Sequence, residues 1–101
     1  MGKQEEVDIF MNRYGLNIKP EYRLIDLSSE LGEVSKQVLK QTGYGERDLK
    51  RTDDLEEELG DLYFALIALA NTMNIDLDFA LEKVIEKYKE RIDGKGHPGS
   101  E

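Results

Sequence analysis

Apolar residues recur with the period of an α-helix along almost the whole of this 101-residue chain. The spacing i, i+3, i+4, i+7 is clear near the start, where Val7, Phe10, Met11 and Tyr14 follow it. The same pattern predicts four helices, which span about residues 4–14, 20–42, 53–73 and 77–94. No segment alternates as a β-strand does, so the sequence predicts an all-α protein whose subunit resembles a four-helix bundle.

The length supports one domain, which we place at residues 1–93, followed by a flexible tail over residues 94–101. The chain has no cysteine, no membrane-length apolar run and no signal-peptide pattern, so we expect a soluble, cytoplasmic protein. The net charge of −8 comes from 14 Lys and Arg against 22 Asp and Glu. This balance argues against a nucleic-acid partner, because binding to the phosphate backbone needs a basic surface.

The third predicted helix is apolar on two sides. Its start carries a capping pair, with Asp53 as the N-cap and Glu56 three residues later. Further along, a leucine stripe faces one way, while Phe64 and Ile67 point more than about 100° away from it. We expect one of these two sides to pack within the chain and the other to meet a second copy. The sequence thus predicts a homo-oligomer, either a dimer or a dimer of dimers, unless the helix is wrapped by the other three.

Two short segments nearly repeat each other, and each carries two carboxylates three residues apart. These are Glu30 and Glu33 in the second helix, and Glu58 and Asp61 in the third. On a helical wheel each pair lies at one edge of the apolar stripe of its helix, so antiparallel packing of the two helices brings the pairs together. One such pair is usually a solvated helix face, but the duplication favours a common site.

Four converging carboxylates repel one another, and a bound cation offsets that repulsion. Oxygen ligands select Mg²⁺, Mn²⁺ or Ca²⁺ over softer metals. A di-iron centre of the ferritin type calls for Glu-x-x-His on paired helices. The single histidine of the sequence, His97, lies in the predicted tail, so the sequence favours a hard divalent cation over iron.

With these acids the chain resembles the MazG-like nucleotide pyrophosphohydrolases of the all-α NTP pyrophosphatase superfamily. Their pattern is E-x-x-E, a spacer and E-x-x-D; here 24 residues separate the two motifs, and the likeness covers about residues 20–92. The resemblance implies hydrolysis of a nucleoside triphosphate, NTP or dNTP, to the monophosphate and pyrophosphate. It also implies that Glu30, Glu33, Glu58 and Asp61 hold Mg²⁺, with Mn²⁺ as the alternative. For the catalytic base, Glu30 and Glu33 are the candidates.

Cations beyond the metal are needed, because pyrophosphate leaves with developing negative charge. Lys87 and Arg91, one turn apart on the fourth helix, are the predicted substrate ligands, together with Lys40 at the end of the second helix. The neighbouring residues Lys50 and Arg51 are further candidates. For each of these side chains, a solvated surface is the competing interpretation.

Base recognition has no clear carrier in the sequence. Phe10, Tyr14 and Tyr22 could stack on a nucleobase if the first helix covers the site, and otherwise belong to the core. The alternative to an enzyme is a non-catalytic helical oligomer that binds nucleotide or metal as a regulator.

Overall fold

The computed structural model describes residues 2–99 and contains four α-helices and no β-strand in that span. The helices are α1 (Lys3–Arg13), α2 (Pro20–Thr42), α3 (Asp53–Thr72) and α4 (Leu77–Lys95). The predicted all-α class and the four helices are confirmed. The predicted tail begins inside the last turn of α4, and its residues 100 and 101 lie outside the described residues.

Local signals explain where the helices begin and end. Pro20 is the first residue of α2, where its missing N–H costs nothing and its fixed φ suits the helix. Gly43 ends α2 with φ +58°, in the left-handed region that glycine adopts without strain. Asp76 caps α4 through a hydrogen bond that its Oδ1 accepts from the Phe79 N–H over 3.2 Å.

The cap of α3 differs from the prediction by one residue. Thr52 is the N-cap, since its backbone is extended and its Oγ1 accepts from the Leu55 N–H over 3.1 Å. The predicted capping pair of Asp53 and Glu56 is therefore wrong. Asp53 lies inside the first turn, where its charge favours the positive end of the helix dipole, and Glu56 forms an ion pair with Arg51 over 3.0 Å.

The core lies where α2 and α1 pack against α3. The ring of Phe10 on α1 meets that of Phe64 on α3 edge-on, with 6.0 Å between ring centroids. The buried apolar side chains of the described residues are few and mostly small: Met11, Ala65, Ile67, Ala68 and Ala70. Small residues let the helices approach closely, so the subunit has a thin core along α3.

Helix α4 leaves the rest of the subunit at a sharp elbow, bent by 104° relative to α3. None of the α4 residues is buried, and Phe79, Leu81 and Ile92 stay about half exposed. Within residues 2–99 no single helix has both the length and the apolar composition of a membrane span. Only α3 and α4 taken together reach that length and composition within this range, and they are bent sharply at the elbow.

The elbow is held by the side chain of Gln4 in the first turn of α1. Its Nε2 donates to Asn71 Oδ1 over 3.0 Å and to the Ile75 carbonyl over 2.7 Å, while its Oε1 accepts from the Leu77 N–H over 2.8 Å. The Asn71 amide donates in return to the Gln4 carbonyl over 3.0 Å. One glutamine thus satisfies backbone groups on both sides of the turn between α3 and α4.

The two apolar sides of α3 are covered unequally within the chain. Ile67 is only 2% exposed and Phe64 lies against α1, whereas Leu59 is 48%, Leu66 39% and Met73 55% exposed. A helical wheel identifies the two faces but not the element that covers each, and here α1 covers the side of Phe64. The leucine side is only partly covered, since Leu55, Leu62 and Leu69 of the same stripe are half-buried while the three residues above stay open.

Candidate metal centre

Helices α2 and α3 bring three carboxylates together. Glu30, Glu58 and Asp61 each offer one oxygen, and these oxygens lie within 4.8 Å of one another. Glu30 and Glu58 are half-buried between the helices and Asp61 is exposed. The group has one carboxylate from α2 and two from consecutive turns of α3, so its geometry depends on how the two helices are aligned.

Glu33 does not belong to this group of three, but its charge acts on it. The pKa of Glu58 is raised above its ordinary value of 4.5, first by partial burial and then by the negative charges of Asp61, Glu33 and Glu30. The carboxyl group of Glu58 therefore gives up its proton less readily than an isolated one. A divalent cation among these oxygens would reverse that effect, because it favours the ionised carboxylates.

The predicted basic ligands Lys87 and Arg91 contact groups other than these acids. Lys87 Nζ lies 5.4 Å from the centroid of the Tyr88 ring, and the Arg91 guanidinium lies 6.0 Å from it. Arg91 also donates to the Pro98 carbonyl over 3.3 Å. Among the described residues neither side chain forms an ion pair with the acidic cluster, and their phosphate-binding role stays a prediction.

Lys40 and its neighbours lie at the hairpin end of α2 and α3. Lys40 is exposed in the last turn of α2, and its carbonyl accepts a hydrogen bond from Arg47 Nη2 over 3.5 Å. Arg51 forms an ion pair with Glu56. The phosphate-binding role of Lys40 stays a prediction.

One aromatic residue, Phe64, lies near the acidic cluster on α3, and the candidate stacking residues lie in and directly after α1 and in α2. Phe64 follows Asp61 by one helical turn, Phe10 contacts Phe64, and the rings of Phe10 and Tyr14 are 5.1 Å apart. Tyr14 and Tyr22 are both more than half exposed. The α1 aromatics are thus partly core, as Phe10 against Phe64, and partly open surface.

The sequence analysis missed Arg23, which is 9% exposed and the one buried charged residue among residues 2–99. Its Nη2 donates to the Leu16 carbonyl and to Met11 Sδ, and its Nη1 pairs with Asp26 over 3.4 Å. Arg23 therefore fixes the segment after α1 against α2. Its position at the edge of the α2 apolar stripe is a signal that could have identified it.

Comparison with known families gives one match over most of the chain. A family model described as the MazG nucleotide pyrophosphohydrolase domain matches residues 19–94. The uncharacterized protein YpjD of Bacillus subtilis is 36% identical over 92 residues, which cover 87% of this chain and 81% of YpjD. The nucleoside triphosphate pyrophosphohydrolase MazG of Thermotoga maritima is 40% identical over 46 residues, which are 46% of this chain and 18% of that protein.

Two solved structures share the fold. The crystal structure of YpjD superposes with a TM-score of 0.71 at 35% identity, covering 87% of this chain and 90% of that one. The structure of a Bacillus-conserved MazG protein, described as a nucleotide pyrophosphohydrolase, gives a TM-score of 0.72 at 32% identity, with 84% and 83% covered.

Proposed function

The chain belongs to the MazG nucleotide pyrophosphohydrolase family, and on that premise we propose that it hydrolyses a nucleoside triphosphate, NTP or dNTP, to the monophosphate and pyrophosphate with a divalent cation. Membership makes it a hydrolase of acid anhydrides. The observation that carries the proposal is the convergence of Glu30, Glu58 and Asp61 from two helices. A set of carboxylate oxygens fits Mg²⁺ first and Mn²⁺ as the alternative.

Each acid has an assigned task in this proposal. Glu30, Glu58 and Asp61 hold the cation, which when bound neutralises the polyphosphate and makes a bound water more acidic. Glu33 belongs to the same acidic edge but not to the group of three, so it is the better candidate for the base that takes the proton of the attacking water. Glu30 is the second candidate. Water attacks the α-phosphorus, and pyrophosphate leaves towards Lys87, Arg91 or Lys40.

A homo-oligomer is part of the proposal, because the subunit exposes too much surface to be complete. Its accessible area is 7813 Å² for 11.6 kDa, about 2,000 Å² more than the roughly 5,800 Å² typical of a compact monomer of this mass. This excess on one chain is larger than the roughly 800 Å² that each partner buries in a standard interface. We propose that the leucine side of α3 and the uncovered α4 form it, in a dimer or a dimer of dimers.

The test is pyrophosphate release by the purified full chain. A panel of canonical and modified NTPs and dNTPs is assayed with Mg²⁺, with Mn²⁺ and with excess chelator. We expect metal-dependent release for at least one nucleotide, and its loss in Glu58→Gln and Asp61→Asn. Glu57→Gln is the matched control, since it removes an equal charge next to Glu58 from outside the group of three.

The outcomes separate the two functions that remained open. Nucleotide or cation binding without pyrophosphate release across the whole panel would identify a regulatory oligomer and reject the enzyme. Release that persists unchanged in both amide variants would reject the assigned site. We assign the enzyme to the cytoplasm, in line with the absence of cysteine from the sequence.

A further inference from the structure

Gln41, in the last turn of α2, joins this helix to the start of α3. Its Nε2 donates to Thr52 Oγ1 over 2.9 Å, and its Oε1 accepts from the Lys50 N–H over 2.8 Å. Its backbone carbonyl accepts from Arg47 Nε over 3.3 Å. One half-buried residue therefore holds the middle and the α3 end of the 43–52 connection.

The partner of Gln41 is itself the residue that starts α3. Thr52 Oγ1 accepts from the Leu55 N–H as the N-cap of that helix, so Gln41 holds the group that fixes the first turn. A slip of α3 by one residue would move it about 1.5 Å along its axis and turn it by about 100°. Such a turn would carry Glu58 and Asp61 away from Glu30.

The contact between Gln41 and Thr52 also determines which residues of α2 and α3 face each other at the acidic group. Glu30 precedes Gln41 by eleven residues and Asp61 follows Thr52 by nine. These separations correspond to about 16 Å along α2 and about 14 Å along α3, so antiparallel helices pinned at Gln41 and Thr52 bring Glu30 opposite Asp61. Eleven residues are also close to three full turns, which places Gln41 on the same edge of α2 as Glu30.

We propose that Gln41 is a positioning residue for the cation site: its amide sets the alignment of α2 with α3 and hence the spacing between the carboxylate of Glu30 and those of Glu58 and Asp61. The proposal rests on the proposed function, because the cation is the one that the hydrolase uses. Gln41 acts through Thr52 and touches neither cation nor nucleotide.

The test measures Mn²⁺ binding to the full chain by calorimetry without nucleotide, next to thermal melting. Gln41→Met keeps the length of the side chain and removes both of its hydrogen bonds while leaving the Thr52 cap in place. Thr52→Val breaks the same contact from the other helix and also removes the N-cap oxygen of α3. Both should bind Mn²⁺ about 10- to 100-fold more weakly, the range seen when residues that orient metal ligands are changed. Gln41→Glu should recover most of the affinity, because a carboxylate accepts from both the Lys50 N–H and the Thr52 hydroxyl.

Thr42→Ala is the matched control. Thr42 is the next residue of α2 and is equally half-buried, but its hydroxyl donates only within the helix, to the Val38 carbonyl over 2.7 Å. We expect its Mn²⁺ affinity to equal that of the parent. Parent-like Mn²⁺ binding by Gln41→Met and Thr52→Val, or an equal loss in Thr42→Ala, would overturn the positioning role. The proposed function would still stand in that case if the parent chain hydrolyses nucleotides. A parent chain that neither binds Mn²⁺ nor hydrolyses nucleotides would reject both.

Discussion

Replacing Leu59 and Leu66 by alanine together should separate the subunits without unfolding them. The two side chains are 48% and 39% exposed in the subunit, and an interface on the leucine side of α3 would bury the remainder. Burying a whole leucine contributes about 1.5–3 kcal/mol, so completing the burial of each contributes roughly 1 kcal/mol. In a two-fold dimer each change occurs twice, and the double variant loses about 3–4 kcal/mol of association free energy.

That loss corresponds to a dissociation constant weakened by about 10²- to 10³-fold. Sedimentation equilibrium over a dilution series of the parent and the double variant measures it directly. Ile67→Val is the matched control, since Ile67 lies on the same helix but is 2% exposed inside the subunit. This control should lower the free energy of unfolding by about 0.5–1.5 kcal/mol and leave the dissociation constant of the folded subunits unchanged.

Two results would refute the reasoning. The parent could sediment as a single 11.6 kDa species at every concentration, in which case no interface exists. Alternatively, Ile67→Val could dissociate the assembly while the double leucine variant did not. The interface would then involve the side of α3 that faces α1.

Three further outcomes test the site. Without divalent cations, Glu58→Gln should melt at a higher temperature than the parent near neutral pH, because the folded-state pKa of Glu58 is raised and its ionised carboxylate destabilises the fold. This difference in melting temperature should fade as the pH falls through the folded-state pKa and Glu58 of the parent takes up a proton. An Mg²⁺ concentration 100-fold above its dissociation constant should stabilise the parent by about 2.7 kcal/mol and leave Asp61→Asn unchanged, as measured by melting curves with and without chelator. Equal stabilisation of the variant would show that the Asp61 carboxylate is not a ligand. Replacing Lys87 and Arg91 by alanine should lower the rate of pyrophosphate release while calorimetry finds Mg²⁺ affinity unchanged; parent-like turnover would move the phosphate-binding role to Lys40.

Local patterns predicted most of the helical architecture and contacts between helices decided the rest. The boundaries of α2 follow from Pro20 and Gly43, because those residues act on the backbone where they stand. The cap of α3 was misplaced by one residue, since Thr52 and Asp53 are both good caps and only the backbone conformation chooses between them.

The acidic edges were predictable for a similar reason, because the angle of a side chain around a helix follows from residue number alone. The convergence of Glu30 with Glu58 and Asp61 agrees with that reasoning, and Glu33 outside the group reflects details of helix alignment. The roles of Gln41 and Arg23 were not predictable, since each depends on a partner from another segment. The direction of α4 depends likewise on Gln4, which is distant in sequence.

The hydrogen bonds that Gln4 forms at the elbow between α3 and α4 also affect the order of folding. Its partners Asn71 and Leu77 follow it by 67 and 73 residues, so the contact closes one of the longest loops in the chain. During synthesis the Gln4 hydrogen bonds can form only after the elbow has been synthesised, so the direction of α4 is set only then. We expect the hairpin of α2 and α3 to fold first and the Gln4 hydrogen bonds to form last. In the proposed oligomer, each chain would acquire its interface shape only near the end of folding, so association would follow the formation of its own helices.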